Sequence, residues 1–402
     1  MRRFQICAIM TALLFMSSVH SQQAQPARPV SPEIHPDRTV TFRLSAPKAT
    51  EVTLNGNWDG GREIKLTKDD FGVWSVTVGP LGAQLWGYSF SVDGVKTLDP
   101  GNAELQRDGS RYDNLLFIAG PESDLWEFRD VPHGTVSAVW YPSPTLKQER
   151  RRMVAYTPPG YESSQTRYPV LYLLHGGGGD EDAWITMGRA AIIMDNLLAQ
   201  GKTKPLLVVM PNGNAAQIVS QGFGFGPTPA RQSFQAPPPP PVQAAGVRPG
   251  APSPMPPRPP QPYEGSYPES LVKDVIPFVE RTYRVIPEKD SRAIAGLSMG
   301  GGHTMSATNH NPGVFGWIGV FSAGPRQPDP ALDGQLEALK ASGVKLYWIG
   351  AGSTDFAREG ALNLSAAVKQ HGFNTIYRED PGMHYWFIWR TFLGDFGSRL
   401  FR

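Results

Sequence analysis

The chain has 402 residues, of which 40% are hydrophobic, and this is enough for more than one packed domain. Its formal net charge of +2 gives no electrostatic case for binding nucleic acid or acidic membranes. Its single cysteine, Cys7, lies near the N-terminus, so the rest of the chain has no disulfide, no thiol nucleophile and no thiolate metal site.

The first residues have the pattern of a cleavable secretory signal. Two arginines precede an apolar run at residues 6–16 that is too short to cross a bilayer, and Val19 and Ser21 suit a cleavage site. We therefore predict a signal peptide at residues 1–21 and a secreted or periplasmic protein without a membrane anchor.

Residues 37–120 are predicted to form a small antiparallel β-sandwich, because short alternating stretches are separated by Asn-Gly, Asp-Gly and Asp-Pro-Gly turns. The segments around Trp58 and Trp74 resemble the glycogen-binding-type carbohydrate-binding module, family forty-eight, and its early-set immunoglobulin-like relatives. The resemblance implies a carbohydrate-binding ancestry. Trp58, Trp74 and Trp86 have flat faces that suit a sugar ring, but the alternation favours core and edge positions for them.

Residues 125–402 are predicted to form an α/β domain. Strands and helices alternate from residue 153 onward, and the apolar runs at 170–174 and 206–210 suit central strands. The remaining elements are predicted as helices at 188–200, 267–283, 360–371 and 386–401 and as strands at 317–322, 345–350 and 375–378. Pro277 is expected to kink its helix.

A proline-rich stretch at about residues 222–262 interrupts this pattern. Five consecutive prolines at 237–241 exclude a helix or central strand and favour polyproline II or disorder. We interpret the stretch as an insertion within the catalytic domain. Phe223, Phe225 and Phe234 are candidates for an acceptor-site wall, and a solvated or domain-contacting loop is the alternative.

Residues 296–300, here called the elbow, read Gly-Leu-Ser-Met-Gly between an apolar strand and a helix. This is the G-x-S-x-G arrangement that raises a nucleophilic serine on a strained turn. It makes Ser298 the candidate nucleophile and the Met299 N–H one oxyanion donor.

A nucleophilic serine requires a histidine base oriented by a carboxylate, in the order serine, acid, histidine. Of the eight histidines, His384 lies in the loop after the last predicted strand, where the base belongs. Asp355 directly follows a strand end and is the favoured acid. Its rivals are Glu359, Glu379 and Asp380.

Residues 175–179, His-Gly-Gly-Gly-Gly, follow a predicted strand and are here called the glycine loop. They match the loop that supplies the second oxyanion donor in esterases. We assign that donor to Gly177, and Gly178 is the second candidate. Gly178 and Trp184 are the predicted substrate contacts.

Six spaced segments at 156–161, 168–177, 209–213, 274–280, 292–302 and 382–384, together with Trp184, resemble the esterase-D group. Within that group they are most similar to carbohydrate esterase family one, which contains feruloyl and acetyl-xylan esterases, and the similarity spans residues 126–401. It implies an α/β-hydrolase fold in which Ser298, Asp355 and His384 act as nucleophile, acid and base. It also implies no metal or cofactor and an acylated plant polysaccharide or oligosaccharide as substrate.

Two other functions are compatible with the sequence. A siderophore trilactone esterase, of the enterochelin type, shares the elbow and also carries an N-terminal β-domain. A non-catalytic carbohydrate-binding protein on an inactive hydrolase scaffold is the second alternative, although the triad residues are all present. Acyl specificity, glycan binding by the sandwich and oligomeric state stay open.

Overall fold

The computed structural model describes residues 28–108, 111–221, 262–327 and 330–402. The predicted signal peptide lies outside these ranges. So do residues 222–261 of the proline-rich stretch, which include Phe223, Phe225 and Phe234.

The N-terminal domain is an antiparallel sandwich of two sheets. Its strands are β1 (Glu33–Ile34), β2 (Val40–Ser45), β3 (Val52–Gly56), β4 (Ile64–Lys65), β5 (Thr67–Lys68), β6 (Val73–Val78), β7 (Leu85–Val92), β8 (Val95–Thr97), β9 (Leu105–Asp108) and β10 (Arg111–Phe117). One sheet has the order β1-β2-β6-β5, and the other has the order β4-β3-β7-β10-β9 with β8 paired to β7. This confirms the predicted β-sandwich.

The sandwich core forms because alternate residues of its strands point inward. Phe42 and Phe90 are fully buried, and Trp58 and Trp74 are 9% and 7% exposed. The core positions expected for these two tryptophans are therefore confirmed. Trp86 is half-buried, donates Nε1–H to Gly82 O at 3.0 Å and packs edge-on against Trp58.

The C-terminal domain is built on one eight-stranded sheet. Its strands are β11 (Thr135–Ser143), β12 (Gln148–Thr157), β13 (Val170–Leu174), β14 (Leu207–Pro211), β15 (Arg292–Leu297), β16 (Trp317–Phe321), β17 (Leu346–Gly352) and β18 (Thr375–Asp380). The order is β11-β12-β14-β13-β15-β16-β17-β18, with β12 antiparallel to its neighbours and every pair from β14 to β18 parallel. The α/β-hydrolase prediction is confirmed.

Helices cover both faces of this sheet. They are α1 (Ala183–Thr186), α2 (Ala190–Ala199), α3 (Tyr267–Ser270), α4 (Ile276–Thr282), α5 (Met299–His310), α6 (Pro330–Ala341), α7 (Arg358–Gln370) and α8 (Trp386–Gly397). In β13, Val170, Tyr172 and Leu174 pack in the core with α3 to α7, whereas Leu171 and Leu173 pack with α2 and α8. Two-sided burial explains why the central strands are continuously apolar. No helix in the described residues is both long and apolar enough to span a membrane.

The structure differs from the sequence prediction in three helices, one of which is the short helix α1, which was not predicted. The helix predicted at 267–283 contains a π-helical turn, Leu271–Val275, in which Ile276 N–H donates to Leu271 O. Pro277 lies two residues after the end of this turn and has no N–H to continue the regular helical hydrogen bonds, which explains the irregularity. Helix α6 was not predicted.

The two domains share one apolar cluster. Leu85 and Leu115 of the sandwich belong to the same buried core as Trp126 and α2. Arg390 of α8 is 2% exposed and reaches across to Gln84 Oε1 at 3.4 Å. The sandwich is therefore packed against the catalytic domain and not merely tethered to it.

Candidate active site

The elbow joins β15 to α5 and holds Ser298 in a conformation that few residues adopt. Ser298 has φ 52° and ψ −114°, and its N–H donates to Phe321 O at 2.8 Å. The flanking glycines are required by close backbone contacts. A Cβ on Gly296 would lie 2.2 Å from Gly300 O, and a Cβ on Gly300 would lie 2.5 Å from His175 O. The strain is of the kind that is concentrated at functional sites.

His384 and Asp355 meet at the carboxyl edge of the sheet, just past β18 and β17. His384 Nδ1 lies 2.8 Å from Asp355 Oδ1, and the Ala357 N–H donates to the same oxygen at 2.7 Å. Because Asp355 is 5% exposed and accepts from Nδ1–H, the tautomer that fits leaves Nε2 of His384 with a free lone pair. Ser298 follows β15 at the same edge.

The surroundings keep Asp355 ionised and the His384 ring in place. Burial alone raises the pKa of Asp355, but hydrogen bonds from His384 and the Ala357 N–H, with the Ser322 hydroxyl beside it, hold that pKa below its ordinary value. Ser322 Oγ accepts from Trp389 Nε1 at 2.9 Å. The Trp389 ring meets the His384 ring edge-on at 4.9 Å.

Two of the three rival carboxylates, Glu379 and Asp380, have other partners. Glu379 accepts from Arg358 Nε at 2.8 Å, and Asp380 accepts from Arg378 Nε at 3.0 Å. Among the described residues, Asp355 is the carboxylate that hydrogen-bonds His384. Within the same ranges, no group of three or more His, Cys, Asp or Glu side chains is arranged to hold a metal ion.

The glycine loop lies beside the elbow because β13 pairs with β15, Leu174 opposite Gly296. A Cβ on Gly176 would lie 3.4 Å from Ser298 Cβ. Gly177 and Gly178 are exposed, and a Cβ on either would meet nothing within 4 Å. Among the described residues, neither the Gly177 nor the Met299 N–H has a backbone or side-chain acceptor. Both N–H groups therefore stay candidates for the two oxyanion donors.

His175 fastens the glycine loop from beneath. Its Nδ1 lies 2.8 Å from Gly176 O, and its Nε2 accepts the Gly213 N–H at 2.8 Å. Burial lowers the pKa of His175, which favours the neutral ring that this pair of bonds requires. Asn214 Nδ2 adds a bond to Gly179 O at 2.8 Å.

The prediction that Trp184 contacts the substrate is wrong. It is 1% exposed, donates Nε1–H to Leu174 O at 3.0 Å and packs edge-on against Trp386 at 5.1 Å. A large apolar indole gains more from burial under the loop, where its N–H also finds a carbonyl, than from solvent exposure.

A set of exposed side chains next to Asp355 and His384 was missed from the sequence. The Phe356 ring lies 4.2 Å from the His384 ring and is 65% exposed, and the Arg326 guanidinium lies 5.9 Å from the Phe356 centroid. Met383 and Tyr385, on either side of His384, are also exposed. The sequence did offer one indication, because three of these residues are immediate neighbours of Asp355 or His384 in the chain.

The family model named Esterase matches residues 143–237 and 255–394, which is more than half of the chain. The chain belongs to this esterase family. A second model, carbohydrate-binding module 48 (isoamylase N-terminal domain), matches residues 30–108 of the sandwich.

Two curated relatives match this chain over part of their length. An endo-1,4-beta-xylanase/feruloyl esterase of Xylanibacter ruminicola is 29% identical over 378 residues, which cover 92% of this chain and 46% of that protein. An esterase of Mycobacterium tuberculosis is 30% identical over 167 residues, covering 38% of this chain and 27% of that protein. The chain thus spans less than half the length of either relative.

Two solved structures share its fold. The enterobactin esterase of Shigella flexneri has a TM-score of 0.60 at 17% identity and covers 90% of this chain and 92% of that one. A ferulic acid esterase of Anaeromyces mucronatus has a TM-score of 0.51 at 20% identity and covers 70% of this chain and 96% of that one. At these identities the likeness establishes the fold, which both kinds of esterase share.

Proposed function

We propose that this chain is a serine esterase that removes feruloyl or acetyl groups from plant cell-wall polysaccharide through an acyl-enzyme. The observation that carries the proposal is the 2.8 Å bond between His384 Nδ1 and the buried Asp355 carboxylate, at the sheet edge where Ser298 stands on the elbow. This is the arrangement of base and orienting acid that a serine nucleophile requires.

In the acylation step, His384 Nε2 takes the proton from Ser298 Oγ as that oxygen attacks the ester carbonyl. Asp355 stabilises the imidazolium that forms, and the N–H groups of Met299 and Gly177 receive the oxyanion. Each such donor is worth about 3 kcal/mol of transition-state stabilisation. The tetrahedral intermediate then expels the sugar hydroxyl, which takes the proton from His384.

In the deacylation step, a water molecule loses a proton to His384 and attacks the acyl carbon. The same two N–H groups receive the second oxyanion, and collapse of the intermediate releases the carboxylic acid. Ser298 recovers its proton from His384, so the chain returns to its starting state without a net change.

An aromatic acyl group fits the surroundings of the triad better than acetate. The exposed Phe356 ring packs against His384 and offers apolar area for a planar phenolic ring, and Tyr385, the residue after His384, is also exposed. The name of the Xylanibacter relative, which couples a xylanase to a feruloyl esterase, supports the same substrate class. The carbohydrate-module match supports a polysaccharide as the partner that carries the acyl group.

We also propose that the protein is exported, because the apolar run at residues 6–16 follows two arginines and precedes a cleavage-site pattern. Sequencing the N-terminus of the protein recovered from its native host tests this proposal. We expect the mature chain to begin near residue 22, and an N-terminus at Met1 would contradict it.

The function is tested by product analysis with the wild-type chain and Ser298→Ala on three substrates: feruloylated arabinoxylan, acetylated xylan and a catecholate trilactone. We expect wild type to release ferulate or acetate and Ser298→Ala to release neither. Ring opening of the trilactone alone would identify a siderophore esterase instead. Polysaccharide retention without any hydrolysis would identify a non-catalytic binding protein, and equal rates for both variants would refute the catalytic role of Ser298.

A further inference from the structure

We infer that Arg107 of the sandwich is a positioning residue for the glycine loop, so that the N-terminal module takes part in ester hydrolysis itself. The inference rests on the proposed function, in which the Gly177 N–H receives the oxyanion. It goes beyond that function because it gives the module a role on small esters that contain no carbohydrate.

The Arg107 side chain crosses the domain boundary and binds Asp180, the residue that follows the glycine loop. Its Nη1 lies 2.5 Å from Asp180 Oδ2, and its Nη2 lies 2.8 Å from Asp180 Oδ1. This bidentate ion pair fixes both the position and the orientation of the carboxylate. Asp180 is 2% exposed and stands three residues after Gly177.

Arg107 is one of two arginines that neutralise three consecutive acids, Asp180, Glu181 and Asp182. Arg107 Nη2 also reaches Asp182 Oδ2 at 2.9 Å. Arg152 of the catalytic domain contacts Glu181 Oε1 and Asp182 Oδ1, each at 2.9 Å. The acidic run is therefore held from both domains at once, with the sandwich supplying the partner of Asp180.

Loss of Arg107 would leave Asp180 buried next to Asp182 without its cation. An uncompensated buried carboxylate moves toward water or takes up a proton, and like charges in contact separate. Because the backbone connects Asp180 directly to Gly179, this movement would shift the far end of the glycine loop. His175 would still hold the near end through Gly213. Against this movement the far end would keep the hydrogen bond from Asn214 Nδ2 to Gly179 O. Gly177, between the two ends, would therefore be displaced slightly from the elbow and not released from it.

Arg107 is not needed to keep the two domains together. Leu85 and Leu115 of the sandwich pack with Trp126 in a shared apolar core, and Arg390 bonds Gln84 across the same boundary. We therefore expect Arg107→Ala to fold with its domains in contact, so that its effect is read in catalysis.

The experiment uses the full chain as wild type, Arg107→Ala, Arg107→Lys and Arg43→Ala. Arg43 pairs with Glu33 at 2.7 Å inside the sandwich and is the matched control. Three quantities are measured: kcat and KM for p-nitrophenyl acetate, the affinity for an aryl boronic acid, and the melting temperature. Ser298 Oγ forms a bond to boron as the serine proton passes to His384, and the resulting negatively charged tetrahedral boronate places one of its hydroxyl oxygens in the oxyanion site.

We expect Arg107→Ala to lower kcat about 10- to 100-fold with KM within about twofold, as for a slightly misplaced oxyanion donor. Boronate affinity should fall by a similar factor. Arg107→Lys keeps the charge but loses the bidentate contact, so it should give an intermediate kcat. Arg43→Ala should have the kcat and boronate affinity of wild type.

Wild-type kcat and boronate affinity in Arg107→Ala would overturn the inference, even with a lowered melting temperature. If Arg107→Ala does not fold, Arg107→Lys decides the question, and wild-type kcat and boronate affinity in that variant would overturn the inference. The proposed function has its own test in Ser298→Ala. An inactive Ser298→Ala beside a fully active Arg107→Ala would refute this inference alone.

Discussion

The Asp355 carboxylate acts at the residue scale by fixing which nitrogen of His384 carries the proton. It is buried, it accepts from Nδ1 at 2.8 Å, and its pKa is held below the ordinary value despite burial. An ionised acceptor in that position keeps Nε2 unprotonated, as the proposed proton transfer from Ser298 requires.

Asp355→Asn should therefore lower kcat by about 10³- to 10⁴-fold, because the amide can donate to Nδ1 and stabilise the wrong tautomer. KM for a small ester should change little. Steady-state kinetics check this, with Glu379→Gln as control, since Glu379 pairs with Arg358 at the surface. Equal losses in both variants would contradict the assignment of Asp355.

Phe356→Ala should weaken recognition of an aromatic acyl group. The ring is 65% exposed against His384, so its removal takes away apolar area without opening a core cavity. We expect kcat/KM for methyl ferulate to fall about tenfold, from the loss of roughly 1.4 kcal/mol of contact, while p-nitrophenyl acetate is affected less. Phe71→Ala, on an 89% exposed sandwich residue, is the control. An equal drop on both esters would contradict an acyl-binding role.

His303 makes stability depend on pH. Burial, with His175 close by, lowers the pKa of His303 from 6.5 to about 4, and its Nδ1 has no hydrogen-bond partner among the described residues. As pH falls from 6.5, the unfolded chain takes up this proton first. The folded state therefore loses stability between about pH 6.5 and 4, by about 3 kcal/mol in total.

His303→Phe should remove most of that loss, because its ring cannot be protonated and suits the neighbouring Tyr267 ring. Melting temperatures at pH 7 and pH 4.5 check this for wild type, His303→Phe and His310→Gln, the last being an exposed histidine on the same helix. If His303→Phe loses as much stability on acidification as wild type, the explanation is wrong.

At the scale of elements, the elbow works because β15 and α5 approach β13 more closely than side chains allow. A Cβ on Gly300 would meet three backbone atoms of Leu174 and His175 within 3 Å, whereas a Cβ on Gly302 would meet nothing within 4 Å. The two glycines stand two residues apart on one helix and form a matched pair.

Gly300→Ala should lower stability by about 1–3 kcal/mol through overpacking and should also lower kcat, because it pushes α5 away from the glycine loop. Gly302→Ala should be neutral or more stable by up to about 1 kcal/mol, since alanine is the better helix former. Thermal unfolding and kcat for p-nitrophenyl acetate check the pair. Wild-type stability and kcat in Gly300→Ala would contradict the close packing of the elbow on β13.

Most elements could be predicted from the sequence because their residues are buried on one or two faces. Continuous apolar runs gave β13 and β14, and alternation gave the sandwich strands. The π-helical turn before Pro277 was not predictable in detail, since proline indicates an irregularity but not how the backbone absorbs it. Helix α6 was missed, although it buries Leu336 and Leu339.

The residues of the site were predictable to the extent that chemistry restricts their types and their place at strand ends. Trp184 shows the limit. An indole beside a glycine-rich loop suits either a substrate contact or a buried support, and the acceptor at Leu174 O decides for burial. Phe356 was overlooked because exposure is decided by tertiary packing.

At the scale of the whole molecule, the sandwich and the catalytic domain form one packed unit. The pairing of Arg107 with Asp180 joins residues 73 positions apart, and no local pattern in the sequence indicates it. The same holds for Arg390, which lies buried at the domain boundary. Long-range contacts of this kind can be recognised only from the three-dimensional structure of both domains.

The central claim is that Ser298 is a nucleophile activated by His384. It is tested most directly by reacting the chain with diethyl p-nitrophenyl phosphate, an organophosphate that phosphorylates activated serines, and mapping the label by peptide mass spectrometry. We expect one diethylphosphoryl group, on the peptide that contains Ser298, and much slower labelling of His384→Ala. Labelling of Ser298→Ala at the wild-type rate, or no labelling of the wild-type chain, would contradict the claim.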